Sequence, residues 1–413
     1  MKKKIWPSAV NGHLHAPPSK SAAQRAIAIA ALAEGGSDIS GPGRCNDVLA
    51  AMDVCRSLGA KVREHHNTLQ ITGGIRPPGH ALQCGESGLG IRMFSGVTAT
   101  LSDNITLTGT GSLLQRPMHA VESSLHALGV YCKTTNGYLP IHIRGPIRGG
   151  KAIIDGSQGS QVLTGILIGS PFAESDVYLE AVGLKSKPYI DMTLDIMQAF
   201  GVTVANRAHQ SFFIRSGQRY KGSRFQVEGD WSGAAFLLVA GAIAGGVKVS
   251  NLRLSSPQAD RKIMEALSLA GASIREGAGW VESRQQPLRA FDFDATHCPD
   301  LFPPLAVLAA NCRGRSRITG AGRLHAKESD RAKTLKETFR RMGLDIGVEE
   351  DTMFITGGQA KAATVQSHGD HRIAMAAATA ALKANGPVNI EGAEAVNKSY
   401  PTFFHDLQQI TSP

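Results

Sequence analysis

SLGAKV (57–62), ALGVYC (127–132), AFGVTV (199–204), LAGASI (269–274) and MGLDI (342–346) place Gly59, Gly129, Gly201, Gly271 and Gly343 at steps of 70, 72, 70 and 72 residues. Each glycine ends an apolar helical stretch, where a C-cap calls for a left-handed residue, and each is followed by an alternating run that folds back as a hairpin. A spacing this constant marks internal repeats. Working outward, each unit reads as a polar or glycine-rich turn, an apolar helix, a β-rich strand, a second helix and then the hairpin. The first helices are SAAQRAIAIAALAEG (21–35), GLGIRMFSGVTATLS (88–102), SQVLTGILIGSPFAE (160–174), WSGAAFLLVAGAIAGG (231–246), DLFPPLAVLAANCRG (300–314) and DHRIAMAAATAALKANG (370–386). They are Ala/Leu/Ile-rich nearly all round, which predicts helices buried inside a domain. The expected fold class is α/β, with six repeats, three per domain, helices within and sheets outside.

The sixth unit stops at FFHDLQQITSP without a hairpin. The N-terminal stretches KKIWPSAV and GHLHAP read as strands that could supply it, closing the chain like a circular permutation. The chain then crosses between domains near Pro17-Pro18 and near Val227–Asp230. The expected domains are 1–15 with 228–413, and 16–227, with a site in the cleft between them.

The 413 residues suffice for two domains with full cores, and 42% are hydrophobic without any run of membrane-spanning length. The basic N-terminus has no apolar segment of signal-peptide length. Six cysteines are scattered without CxxC or Cys/His clusters, against zinc and disulfides and for a reducing cytoplasm. An excess of 44 basic over 34 acidic residues suits anionic ligands, while an aromatic content of 6% with no basic–aromatic interleaving disfavours nucleic acid.

Helix N-termini carry unpaired N–H groups and partial positive charge, so several converging on one face would bind anions. Polar residues gather there: Ser19, Lys20, Ser21 and Arg25 at the first; Gly88 and Arg92 at the second; Ser157, Ser160 and Gln161 at the third. Asp300 opens the fifth, and Asp370, His371 and Arg372 the sixth. Capping accounts equally well for Asp300 or Asp370 taken alone, but poorly for Lys20, Arg25 and Arg372, whose charges oppose the dipole. In HAKESDRAKTLKETFRRMG (325–343), Lys327 and Arg331 stand at i, i+4 with Glu328 between them. That is either a solvated face laced with ion pairs or an anion site.

PSKSAAQRA, LLQRPM, GSQGSQ, SKPYID, VEGDWSGAAF, CPDLFPPLA, KESDR, DHRIAM and NKSYPTFF occur in one order along the chain. In this the whole sequence resembles the EPSP synthase family of enolpyruvyl transferases. The resemblance implies a two-domain inside-out α/β barrel of six βαβαββ repeats. It also implies a reaction of the shikimate pathway of aromatic amino acid biosynthesis. The 5-hydroxyl of shikimate 3-phosphate would join C2 of phosphoenolpyruvate through a tetrahedral intermediate that expels phosphate, with no cofactor and no metal.

By the same resemblance, Lys20, Ser21, Arg25, Ser160, Gln161, Ser186, Tyr189, Asp300 and Lys327 would contact shikimate 3-phosphate. Lys20, Gly88, Arg116, Gln161, Arg331, Arg372 and Lys398 would hold phosphoenolpyruvate. Asp300 would accept the hydroxyl proton and Glu328 exchange protons with the methylene carbon, Lys20 serving both ligands and His371 assisting. The expected partners are these small molecules, with no nucleic acid or membrane, for a cytoplasmic monomer.

Glu86-Ser87-Gly88-Leu89 replaces the family's usual Asn-Ala-Gly-Thr, Gly159 stands where a serine is usual, and Arg323 where an asparagine is common. A carboxylate at Glu86 beside an anion site is repulsive unless turned away or paired. The sister family acting on UDP-N-acetylglucosamine typically carries Lys-Asn and a loop cysteine, whereas here Lys20 precedes Ser21 and the Arg116 loop has no cysteine. A non-catalytic binder of anionic metabolites or nucleic acid is the other alternative, against which Lys20, Asp300, Glu328 and Lys398 stand together.

Overall fold

The computed structural model describes residues 1–77 and 79–411. The chain divides into one unit of Pro18–Val227 and another made of Met1–Pro17 with Glu228–Pro413; positions 412–413 of the latter lie outside the described residues.

The Pro18–Val227 unit contains α1 (Lys20–Leu32), α2 (Asn46–Ser57), α3 (Gly88–Thr98), α4 (His119–Ala127), α5 (Gln161–Gly169) and α6 (Pro188–Ala199). The other contains α7 (Trp231–Ala244), α8 (Ile263–Ala270), α9 (Phe302–Ala310), α10 (Arg331–Arg341), α11 (His371–Ala381) and α12 (Phe403–Ile410). The odd-numbered helices are the buried ones, and every residue of α7, α9 and α11 is buried. Alanine gives them high helix propensity and a thin cross-section, so helices can pack side by side. Sheet strands alternate instead, as in Tyr138–Arg144, where Leu139, Ile141 and Ile143 face the core and Tyr138, His142 and Arg144 are exposed.

Three glycines bring two buried helices into backbone contact. A methyl group on Gly96 of α3 would lie 2.1 Å from the Gly165 carbonyl oxygen of α5, and one on Gly169 would lie 2.3 Å from the Gly96 carbonyl oxygen. The side-chain-free contact packs α3 closely against α5.

The five repeat glycines all have left-handed backbones: φ is 95° at Gly59, 76° at Gly129, 88° at Gly201, 88° at Gly271 and 72° at Gly343. Each precedes an antiparallel hairpin, such as Lys61–His65 with Thr68–Thr72. The strand order repeats as well. Arg224–Gln226, Gly36–Ser40, Thr68–Thr72 and Lys61–His65 form one sheet in that order, the first pair parallel and the others antiparallel. The other four-stranded sheets follow the same scheme.

The N-terminal strands depart from expectation. Lys2–Ile5 does complete the sixth sheet, antiparallel to Val388–Glu391, but Val10–His15 runs parallel to Gly245–Ser250 in the fourth. They do not form a hairpin. The reason lies at the second crossing: Arg224–Gln226, immediately before it, turns back to pair with Gly36–Ser40. The fourth unit thus has no leading strand from the sequence just before it, and Val10–His15 fills that place.

Candidate active site

In the Pro18–Val227 unit the starts of α1, α3 and α5 are laced together. Ser19 caps α1 by accepting from the Ala22 amide, and Ser87 caps α3 by accepting from the Gly90 amide at 3.0 Å. The Ser87 hydroxyl also donates to Gln24 Oε1 of α1 at 2.7 Å. Arg92 of α3 donates to Gln161 Oε1 of α5 at 3.0 Å. Ser160 is buried at the N-cap position of α5, yet its hydroxyl makes no capping bond. Gly159, in place of the usual serine, has φ 134°, a backbone that favours glycine.

Lys20 Nζ lies 2.9 Å from Asp47 Oδ2 at the start of α2. Arg25 is fully buried, and its guanidinium donates to Thr193 Oγ1 at 2.9 Å, the Ser21 carbonyl at 2.8 Å, Thr164 Oγ1 at 3.3 Å and the Tyr189 carbonyl at 3.4 Å. Arg25 therefore braces α1 against α5 and α6, and burial lowers its pKa to about 10. Ser186, just before α6, adopts φ 56° without being glycine, local strain of the kind that gathers at binding sites.

Arg116 ends a 3-10 turn, Gly111–Gln115, and is buried against Gly88. A Cβ at position 88 would lie 2.1 Å from Arg116 Nη1 and 2.5 Å from Cζ. Only glycine admits the guanidinium there.

The other unit gathers a denser set. Arg331, at the start of α10, is wholly buried and donates in three directions: Nε to Asp370 Oδ2 at 2.9 Å, Nη1 to Asp300 Oδ1 at 2.8 Å, and Nη2 to Glu328 Oε2 at 2.5 Å. Arg372 Nη2 reaches Asp300 Oδ2 at 3.1 Å, and Lys327 Nζ stands 3.7 Å from Asp300 Oδ1. Arg331, Arg372 and Lys327 thus face Asp300, Glu328 and Asp370, a balanced cluster. The solvated-face reading of Lys327 and Arg331 fails, because neither is exposed.

Burial pushes the Asp300 carboxyl up, but Arg372, Lys327 and Arg331 outweigh it and hold the group well below the usual aspartate range. Burial lowers Lys327 to about 8 despite Asp300 beside it. Asp370 does cap α11, accepting from the Arg372 amide at 2.9 Å, while also binding Arg331. Asp300 caps nothing: it lies in a 3-10 turn, Pro299–Leu301, ahead of α9, with its carboxylate turned to the cations. His371 is buried with Nδ1 3.8 Å from Asp370 Oδ1, and Lys398 is buried at the end of the Ala393–Lys398 turn.

Sequence reasoning missed two acids, Asp47 and Asp260, and the second role of a third, Asp370. Asp47 and the second role of Asp370 were hidden because an acid at a helix start is already what the dipole favours. Asp260, fully buried with Oδ2 against the Ser232 hydroxyl, gave no local signal. Burial and the nearby Asp300 charge raise it to about 7.

The sequence model of the family described as EPSP synthase (3-phosphoshikimate 1-carboxyvinyltransferase) matches residues 6–407. A curated 3-phosphoshikimate 1-carboxyvinyltransferase from Methanocorpusculum labreanum is 39% identical, covering 99% of this chain and 98% of its own. One from Thermococcus kodakarensis is also 39% identical, over 97% of this chain and 98% of its own. A solved EPSP synthase structure from Acinetobacter baumannii superimposes with a TM-score of 0.84 at 28% identity, covering 99% of this chain and 98% of that one. With its repeats, its helix-start cations and a match from residue 6 to residue 407, this chain belongs to the EPSP synthase family.

Proposed function

We propose that the chain transfers the enolpyruvyl group of phosphoenolpyruvate to the 5-hydroxyl of shikimate 3-phosphate and releases phosphate. Family membership and the names of relatives matched along nearly their full length support this activity. The observation that carries the residue assignment is the Arg331 fork, which joins Asp300 and Glu328 in one buried cluster.

In the addition step, the hydroxyl oxygen bonds to C2 of phosphoenolpyruvate, its proton passes to Asp300, and C3 gains a proton from Glu328. In the elimination, C3 returns a proton to Glu328 as the C2–O bond to phosphate breaks, and the departing phosphate takes up the proton that Asp300 accepted. General acid–base transfer of this kind contributes typically ~10²–10⁴-fold. Lys20, Ser21, Arg25, Ser160, Gln161, Ser186, Tyr189 and Lys327 serve shikimate 3-phosphate. Lys20, Gly88, Arg116, Gln161, Arg331, Arg372 and Lys398 serve phosphoenolpyruvate, with His371 assisting. The two sets act on one substrate pair. Arg25 acts through the frame it braces, and Arg331 meets a ligand carboxylate only by giving up one of its own. The reading extends to a cytoplasmic monomer; six buried cysteines, with no disulfide among the described residues, suit a reducing compartment.

The test is phosphate release from phosphoenolpyruvate, followed with shikimate 3-phosphate or with UDP-N-acetylglucosamine as acceptor, and product identification by mass spectrometry. Release with only the sugar nucleotide would transfer the chain to the sister activity, and release with neither would leave a binding protein.

Gly88→Ala tests the phosphoenolpyruvate assignment separately. The methyl group meets the far end of a flexible side chain, so the fold survives while the Arg116 guanidinium swings away. Losing one charged hydrogen bond raises the KM for phosphoenolpyruvate about tenfold, with the KM for shikimate 3-phosphate and the urea midpoint little changed. Equal KM values for phosphoenolpyruvate in both proteins would remove Arg116 and Gly88 from that site.

A further inference from the structure

Glu86 is the acidic departure in the Glu86-Ser87-Gly88-Leu89 motif, two residues from the glycine on which Arg116 rests. Its carboxylate is turned to the 3-10 turn that carries Arg116. Oε2 accepts from the Ser112 amide at 3.2 Å and from the Ser112 hydroxyl at 3.0 Å. The approach depends on Gly111, which has φ 55° and where a Cβ would lie 2.4 Å from Glu86 Cδ. The carboxylate thus meets the Ser112 amide at the turn's N-terminal end, where negative charge is favoured.

The rest of the segment is tied in the same way. The Thr110 amide donates to the Gly85 carbonyl at 2.8 Å. At the far end, Arg92 donates to the Pro117 carbonyl and, through its other nitrogen, to the Gly88 carbonyl, both at 3.0 Å. The Arg116 guanidinium sits between these anchors, and both anchors are attached to the start of α3. Residues 85–92 therefore form one frame: Glu86 grips the front of the Arg116 turn, Arg92 grips the back, and Gly88 receives the guanidinium.

We infer that Glu86 is a positioning residue, a strut that holds the 111–116 turn so that Arg116 is preset for an anionic group of the substrate. This rests on the reading of Arg116 as a phosphoenolpyruvate contact. It also gives the acid a favourable place beside an anion site, since its charge is spent on the turn's own donors. Displacing a preset cation by an ångström is felt in binding before it is felt in folding.

The experiment compares Glu86→Ala, Glu86→Gln and Ser112→Ala with the parent chain by steady-state kinetics and by hydrogen exchange of the 110–117 peptide. In Glu86→Ala, exchange at the turn speeds about tenfold, and the KM for phosphoenolpyruvate rises about fivefold while that for shikimate 3-phosphate stays put. Glu86→Gln, which still accepts from Ser112, restores most of both, and Ser112→Ala gives a smaller change in the same sense. Unchanged exchange in Glu86→Ala overturns the strut without reference to turnover. Faster exchange with both KM values unchanged, or a lowered KM for phosphoenolpyruvate in Glu86→Gln, overturns the positioning role. A parent chain that releases no phosphate sinks the enzymatic reading itself, and the exchange arm tells that result apart from failure of the strut.

Discussion

Asp300→Asn and Glu328→Gln each lower kcat by about two orders of magnitude or more, because each keeps the side chain's shape while removing a group that carries a proton in the proposed mechanism. The cluster around Asp300 adds a second, sharper expectation. With Arg331, Arg372 and Lys327 all on it, Asp300 is held well below the usual aspartate range, which makes it a poor base in the substrate-free protein. Substrate anions that engage Lys327 and Arg372 draw positive charge off Asp300 and raise its basicity. The kcat/KM profile reports groups of the free enzyme and the kcat profile those of the complex. The acidic limb of kcat therefore lies at higher pH than the acidic limb of kcat/KM, and Asp300→Asn abolishes the difference. Phosphate-release kinetics across pH check both points, with circular dichroism to establish folding. Near-parental kcat in both variants would return Asp300 and Glu328 to a purely structural role.

The contrast between what the chain declares and what it conceals follows the range of the interactions. Gly59, Gly129, Gly201, Gly271 and Gly343 could be read because a left-handed C-cap is a local demand, met within a few residues of the helix it ends. Buried helices could be read from their all-round apolar composition. The placing of Val10–His15 could not, since its partner Gly245–Ser250 is remote in sequence and the vacancy it fills is created by Arg224–Gln226 turning elsewhere. Among the candidate site residues, the cations stood out because Lys20 and Arg372 oppose the helix dipole and so need another reason to be there. Their counter-charges did not: Asp47 and Asp370 look like ordinary acids at helix starts. Glu86 read as a liability beside an anion because its donors on Ser112 lie 26 residues away. A charge can be seen in a sequence, but what neutralises it is a property of the fold.

Arg331→Met should be the most damaging single change to stability. It keeps the stem and removes a cation shared by Asp300, Glu328 and Asp370, while Arg372 and Lys327 remain on Asp300. Breaking a buried pair by deleting one partner costs ~3–5 kcal/mol, since the remaining charge is left uncompensated. Arg331→Lys restores charge but not the fork, so it recovers only part of the loss. The pH dependence gives the diagnostic sign. In the parent chain the folded-state pKa of Asp300 is depressed, so its contribution is present above its unfolded value and is lost only as pH falls through the much lower folded value. Stability from this group is flat between pH 5 and 8. Without Arg331, burial and the neighbouring carboxylates act on Asp300 with less to oppose them and its folded-state value rises; a carboxyl raised above its unfolded value contributes fully below that value and loses its contribution as pH rises through the folded one. The deficit of Arg331→Met relative to the parent should therefore widen from pH 5 to pH 8 in urea unfolding. A deficit below about 1 kcal/mol, the range of an exposed ion pair, or one that does not change with pH, would mean that Arg331 is not the cation on which the three carboxylates depend.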